Sequence, residues 1–249
     1  MDLRRVSDGE HEVDPGGAGS GGGKPVMCGR FTLFDTAASL AEAFGVAEVP
    51  SLSPRYNIAP SQKVAAVRIP PGERSREAVL LHWGLIPSWA KDRSIGSRMI
   101  NARAETAAGK PAFRSAIRRR RCLVPADGFY EWKRTDGRKQ PYYIRMRDGR
   151  IFAFAGLWES WEGPGGGAVE SCAILTTLPN ELLRPIHDRM PVLVSPRDYD
   201  LWLSPEARDP EALAPLFRPY PSEEMTAFPV GTAVNNPKTD TPELIKPLS

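Results

Sequence analysis

The sequence predicts an α+β fold: a single domain built on a curled, mostly antiparallel and barrel-like sheet with flanking helices. Three observations predict it. Short apolar runs bounded by Gly, Pro and Asp outnumber the helical stretches. Two Asp-Gly pairs, Asp136-Gly137 and Asp148-Gly149, separate such runs and favour antiparallel neighbours. The chain has 249 residues, enough to bury a substantial core.

Taken in order, residues 1–26 end in a Gly/Ser run that cannot bury enough surface to offset chain entropy, so a disordered extension is expected there. Residues 30–34 alternate polar and apolar, as a short strand does. Asp35 or Thr36 caps a helix carrying Leu40 and Phe44, and Gly45 ends it. The proline-rich run 54–62 reads as an ordered loop, and 64–69 and 78–85 as strands. Residues 111–121 read as a basic helix with Phe113 and Ile117 as its apolar pair. Strands are expected at 142–146, 151–158, 171–177, 192–194 and 226–230, with helices at 198–203 and 211–217. From 235 to 249 the chain is polar and proline-containing, a tail beyond a domain spanning 27–234.

Composition excludes several classes. No apolar run approaches membrane-spanning length, and the arginines near the start precede no secretory core. The expectation is a cytoplasmic, monomeric protein. Net charge is +3, but residues 1–27 hold three Lys/Arg against five Asp/Glu, so the remainder carries +5. That balance permits a polyanionic partner without demanding one. Cys28, Cys122 and Cys172 are odd in number and widely spaced, which argues against a disulfide framework or a zinc site. Cys122 and Cys172 lie in apolar runs and read as buried thiols. No metal or cofactor is implied.

Four stretches carry reactive groups that packing alone does not explain. They are Cys28-Gly29-Arg30, Asn101-Ala102-Arg103-Ala104-Glu105, Gly128-Phe129-Tyr130-Glu131-Trp132 and His187-Asp188-Arg189. Together with Tyr56-Asn57-Ile58-Ala59-Pro60, Trp83-Gly84-Leu85-Ile86-Pro87 and Phe154-Ala155-Gly156-Leu157-Trp158-Glu159, they stand in an order that closely resembles the SOS-response-associated peptidase (SRAP) family. The likeness runs from Met27 to about Val234.

The resemblance implies a sensor that crosslinks itself to abasic sites in single-stranded DNA, with replication-fork proteins as further partners and association with the nucleoid when DNA is bound. The residue chemistry fits. A ring-opened abasic site is an aldehyde. An N-terminal Cys28 offers an α-amine with a pKa of about 8 and a thiol of about 8.5, and both can close on one carbon as a thiazolidine. Glu131 suits general acid/base work, His187 proton transfer at the sugar ring oxygen, and Asn101 orientation by hydrogen bonds. Arg30, Arg103 and Arg189 are expected at flanking phosphates, with Asn57 and Thr176 as further polar contacts. Trp83, Trp89 and Pro60 are expected to stack on or wedge between bases. The run Arg118-Arg119-Arg120-Arg121 reads as a solvated helix end.

The family pattern sets the cysteine directly after the initiator methionine, whereas 26 residues precede Met27 here. A start at Met27 is the favoured expectation. Self-cleavage before Cys28, or a retained extension that blocks the amine, are the alternatives. Two other functions stay open: a thiol peptidase, which needs no free amine, and a non-covalent reader of modified or unpaired DNA.

Overall fold

The computed structural model describes residues 29–248. The expectations for residues 1–26 and for Cys28 lie outside the described residues.

The strand β1 (Phe31–Leu33) leads into helix α1 (Ala37–Phe44). Thr36 Oγ1 caps it by accepting the Ser39 N–H, and Gly45 closes it at φ 61°, as the sequence anticipates. β2 (Arg55–Ile58) then forms inside the stretch expected to be loop. Its prolines flank the strand rather than interrupt it, so the ladder to β1 survives. β3 (Lys63–Arg68) and β4 (Glu77–Trp83) pair antiparallel. β5 (Asn101–Arg103) runs into α2 (Ala104–Ala107). The expected basic helix is regular only as α3 (Ala116–Arg119), preceded by turns.

β6 (Arg121–Ala126), β7 (Gly128–Thr135), β8 (Arg138–Met146), β9 (Phe152–Glu162) and β10 (Ala168–Thr177) follow. Asp136 and Gly137 both take positive φ, 48° and 76°, in the β7–β8 hairpin. The second Asp-Gly turn makes no hairpin, because β8 pairs with β7 while β9 pairs with β6 and β10. It passes the chain from one sheet to the other. The short β11 (Met190–Pro191) and β12 (Leu193–Val194) precede α4 (Tyr199–Leu203), α5 (Pro210–Leu213) and β13 (Met225–Pro229).

One sheet is fully antiparallel in the order β13-β8-β7-β1-β2. In the other, β10-β4-β3-β6-β9 returns to β10, so five strands close into a barrel. Only the β10–β4 pairing in that ring is parallel. β4 ends at Trp83, and β5 takes over the same edge of β10 by pairing with residues 174–176. Closure removes the exposed edges that an open sheet would carry.

The sheets meet through edge-to-face rings: Phe31 on Phe154, and Phe129 on both Phe152 and Phe154. A smaller cluster of Tyr130, Tyr143, Val230, Val234 and Leu244 covers the other face of the five-stranded sheet. The stretch read from sequence as a polar tail supplies part of that cover. Asp240 accepts hydrogen bonds from Arg55 and from the Tyr56 N–H, and Val230 bridges Pro247. Among the described residues, no helix is long and apolar enough to cross a membrane.

Candidate functional site

The structure gathers the predicted groups around two features: the start of β1 and the C-terminal end of β10. Tyr130 N–H donates to Arg30 O (3.0 Å), which extends the β1–β7 ladder beyond Phe31. That contact brings the chain entering β1 alongside Tyr130, the residue before Glu131. Glu131 shares a strand face with Phe129, since alternate residues point the same way, and it is 1% exposed. A carboxylate at that depth is costly unless its surroundings satisfy it.

Arg30 is half-buried. Its Nη1 donates to Asn57 Oδ1 (2.9 Å) and Val234 O (2.7 Å). Burial lowers its pKa. Asn57 is wholly buried, and its Nδ2 donates to the carbonyls of Asn236 (3.0 Å) and Thr239 (2.7 Å). Both side chains tie β2 and the chain after Val234 to the start of β1. Asn57 is therefore interior scaffolding and not a DNA contact.

At the end of β10, Asn101 pairs with Ile174 and Arg103 with Thr176. Arg189 grips Glu105 with both Nη atoms, at 2.7 and 2.8 Å, and its Nη2 also donates to Thr176 O (2.6 Å). That grip holds the Glu105 carboxyl below its usual range. Arg189 and Thr176 are buried, so Arg189 is not the open phosphate contact, nor Thr176 the open polar contact, that the sequence suggests. The Arg189 charge is balanced by Glu105, and only its Nε–H lacks a partner among the described residues. Glu105 stands in one of the stretches singled out from sequence but is given no role there. It sits two positions beyond Arg103, but its partner is 84 residues away.

His187 is partly buried beside this pair. Its Nδ1 accepts the Arg189 N–H (3.1 Å) and lies 3.0 Å from Asp188 Oδ1. One ring nitrogen cannot accept from the first and donate to the second. The neutral ring suits the first contact, with its proton on Nε2. The cation suits the second. Burial lowers the His187 pKa, aided by Arg134 on β7 and opposed by Asp188, so the neutral ring dominates at pH 7.

Trp83 overturns an expectation. It is 0% exposed and cannot stack on a base. Its ring packs edge-on against Phe31 at 5.2 Å, and its Nε1–H donates to Ile100 O (3.0 Å). It thus links the start of β1 to the residue before Asn101. It ends β4, inside the run expected as strand, and its ring points into the core. Trp89 is 60% exposed, and the loop beneath it is pinned by Trp161 Nε1–H donating to Ala90 O (2.7 Å). Arg103 is exposed and Pro60 half-buried, so these three keep surfaces a ligand can reach. His82 sits half-buried near Arg93, and both its burial and that cation lower its pKa.

Cys122 and Cys172 are fully buried free thiols, as expected. Burial pushes Cys122 up to about 12 and raises Cys172 as well, so neither is a thiolate at neutral pH. Among the described residues, no three His, Cys, Asp or Glu side chains gather closely enough to hold a metal ion.

The buried Glu131 carboxylate, the His187 ring and the locked Arg189–Glu105 pair are the ionisable groups that the fold sets near the predicted stretches. Residues 27–237 match the SOS response associated peptidase (SRAP) family, and the chain belongs to that family. It is 47% identical over 224 residues to the abasic site processing protein YoqW of Bacillus subtilis, covering 88% of this chain and 99% of the relative. It is 33% identical over 231 residues to the abasic site processing protein YedK of Escherichia coli, covering 89% and 100%. A crystal structure of a protein from Bacteroides thetaiotaomicron superposes with a TM-score of 0.80 at 26% identity, covering 89% of this chain and all of that one.

Proposed function

We propose that this chain processes abasic sites in single-stranded DNA by closing a thiazolidine between an N-terminal Cys28 and the aldehyde of the ring-opened sugar. The observation that carries the reading is the buried Glu131 carboxylate on β7, next to Tyr130, whose N–H donates to the carbonyl of Arg30, two residues after Cys28. Membership of the family and the printed activity of its relatives support it.

The chemistry balances with the groups at hand. His187 moves the proton that opens the sugar hemiacetal to the aldehyde. The Cys28 α-amine adds to the aldehyde carbon, and the carbinolamine loses one water to give an imine. Glu131 supplies the proton to the departing hydroxyl and takes one back from the thiol. The sulfur then adds to the imine carbon and the nitrogen takes up a proton. The net change is one water lost. Asn101 orients the amine or sugar. Arg103, Trp89 and Pro60 supply phosphate and base contacts.

The decisive experiment uses protein that begins at Cys28 and single-stranded DNA with one abasic site, resolved on a denaturing gel and by intact mass. The expected product is a stable adduct lighter than its components by one water. Cys28→Ala forms none. Cys28→Ser keeps the amine and forms an imine that borohydride traps. Acetylation of the α-amine abolishes the adduct. An adduct that survives acetylation points instead to thiol-only chemistry, and absence of any adduct from the Cys28-terminated protein overturns the reading.

A further inference from the structure

We propose that the exposed cations from Lys110 to Arg119 form a lane that carries on from Arg103 and holds the phosphates of the DNA strand flanking the lesion. The inference rests on the DNA reading above and extends it to a surface outside the site.

The segment 103–126 contains seven basic residues and one acidic residue, Glu105. Glu105 is already bound by Arg189. Two of the seven are consumed by the fold. Arg120 donates to Glu159 Oε2 (2.6 Å) and to Ser115 Oγ (3.0 Å). Arg121 is buried and donates to the carbonyls of Ile117, Trp202 and Ser204. The other five, Arg103, Lys110, Arg114, Arg118 and Arg119, are exposed. None of these five pairs with an acidic group among the described residues.

Local geometry aligns them. Arg114 N–H donates to Lys110 O, Ile117 N–H to Phe113 O and Arg120 N–H to Ala116 O, so the turns from 110 lead into α3 with helical i to i−4 bonds. Lys110, Arg114 and Arg118 recur every fourth residue and share one face. The opposite face is anchored by Phe113, Ala116 and Ile117, all buried. The stripe covers about 12 Å at about 1.5 Å per residue, the span of several phosphates. It begins one turn past α2, whose N-cap is Arg103 at the rim of the site. An unbalanced stripe on a fixed scaffold, continuous with the site, fits a single polyanionic strand better than a solvated face with no partner.

The test compares the Cys28-terminated protein with Lys110→Gln/Arg114→Gln/Arg118→Gln. Binding is measured across a salt series on a long single strand and on a short one that carries little beyond the abasic residue. The variant is expected to lose about two units from the slope of log affinity against log salt on the long strand, since each single-strand phosphate contact contributes about 0.7. Affinity for the long strand falls at least about tenfold at moderate salt. Adduct formation on the short strand stays within about twofold, which shows that fold and site are intact. A charge-matched control, Lys63→Gln/Arg138→Gln/Lys139→Gln, keeps the parental slope. An unchanged slope in the first variant, or an equal loss in the control, overturns the lane. Failure of the unmodified protein to react with the short strand overturns the parent reading instead.

Discussion

The closed barrel and the five-stranded sheet press their aromatic faces together, yet they bury different chemistry. The barrel hides Ala66, Leu81, Cys122, Val124, Leu157, Cys172 and Ile174, all 0% exposed, and ties its buried charges, Arg68, Arg121 and Glu159, into ion pairs or carbonyl contacts. The five-stranded sheet hides Glu131, Asp127, Asn57 and the Thr32–Tyr143 hydroxyl pair at 2.9 Å. Apolar burial is non-directional, so the barrel gains its stability from volume and fit. Polar burial is directional, so the sheet gives up stability for fixed positions beside the first strand. The barrel therefore should fail by unfolding and the sheet by losing chemistry.

The sharpest test of the barrel is Gly156→Val. Gly156 faces Cys122 directly across β6–β9, and a Cβ added there would lie 2.6 Å from Cys122 Sγ. Both neighbours are interior strand residues with no room to yield. The expected cost is about 3 kcal/mol or more, read as a large fall in the thermal midpoint. A midpoint within a few degrees of the parent would show that the barrel is not the rigid half.

The matching test of the sheet is Glu131→Gln, which keeps shape and removes the proton carrier. Adduct formation should slow by about 10²- to 10⁴-fold while the thermal midpoint barely moves. A rate within about twofold of the parent would remove Glu131 from the chemistry.

Asp127 separates the halves by pH. Burial raises its carboxyl to about 6, against hydrogen bonds from the Phe34 (2.5 Å) and Asp35 (3.3 Å) N–H groups. The folded chain thus binds a proton more tightly than the unfolded one, whose Asp titrates at 3.8. The stability from this group is complete below about 4 and is lost as pH rises through about 6. The loss is at most about 3 kcal/mol. Asp127→Asn should flatten that slope in denaturant titrations between pH 4 and 7, set against the parent at each pH. Parallel pH profiles would assign the slope elsewhere.

Much of the barrel and its neighbour was legible because local signals agreed with the fold. Thr36 and Gly45 bracket α1, Asp136-Gly137 makes the β7–β8 hairpin, and the apolar runs become strands. What escaped depends on partners far along the chain. β2 forms because β1 offers a ladder, and Asp240 satisfies Arg55 from 185 residues away. Arg189 reads like an open cation until Glu105 is beside it. The reactive groups themselves stood out because packing gave them no reason to be there. Their separation into exposed and buried members could not be read, since a cation or indole near a functional residue has the same sequence whichever way it points.

The two tryptophans flanking Gly84–Ser88 carry the comparison to its smallest expected effect. Trp83→Phe keeps an aromatic ring against Phe31 but removes one of two donors to Ile100 O, which still accepts the Ile174 N–H. The cost is about 1 kcal/mol of stability. Because Ile100 precedes Asn101, adduct formation should slow together with the loss of stability. Trp89→Ala removes an exposed ring and should leave stability within about 0.5 kcal/mol. Its effect belongs on DNA affinity, where loss of one stacked base costs about 1–3 kcal/mol. The pair is read by thermal denaturation alongside titration with unreactive single-stranded DNA. If Trp83→Phe weakens only DNA affinity, or Trp89→Ala only stability, the inward and outward roles are reversed, and the link from β1 to Asn101 through the Trp83 indole fails with them.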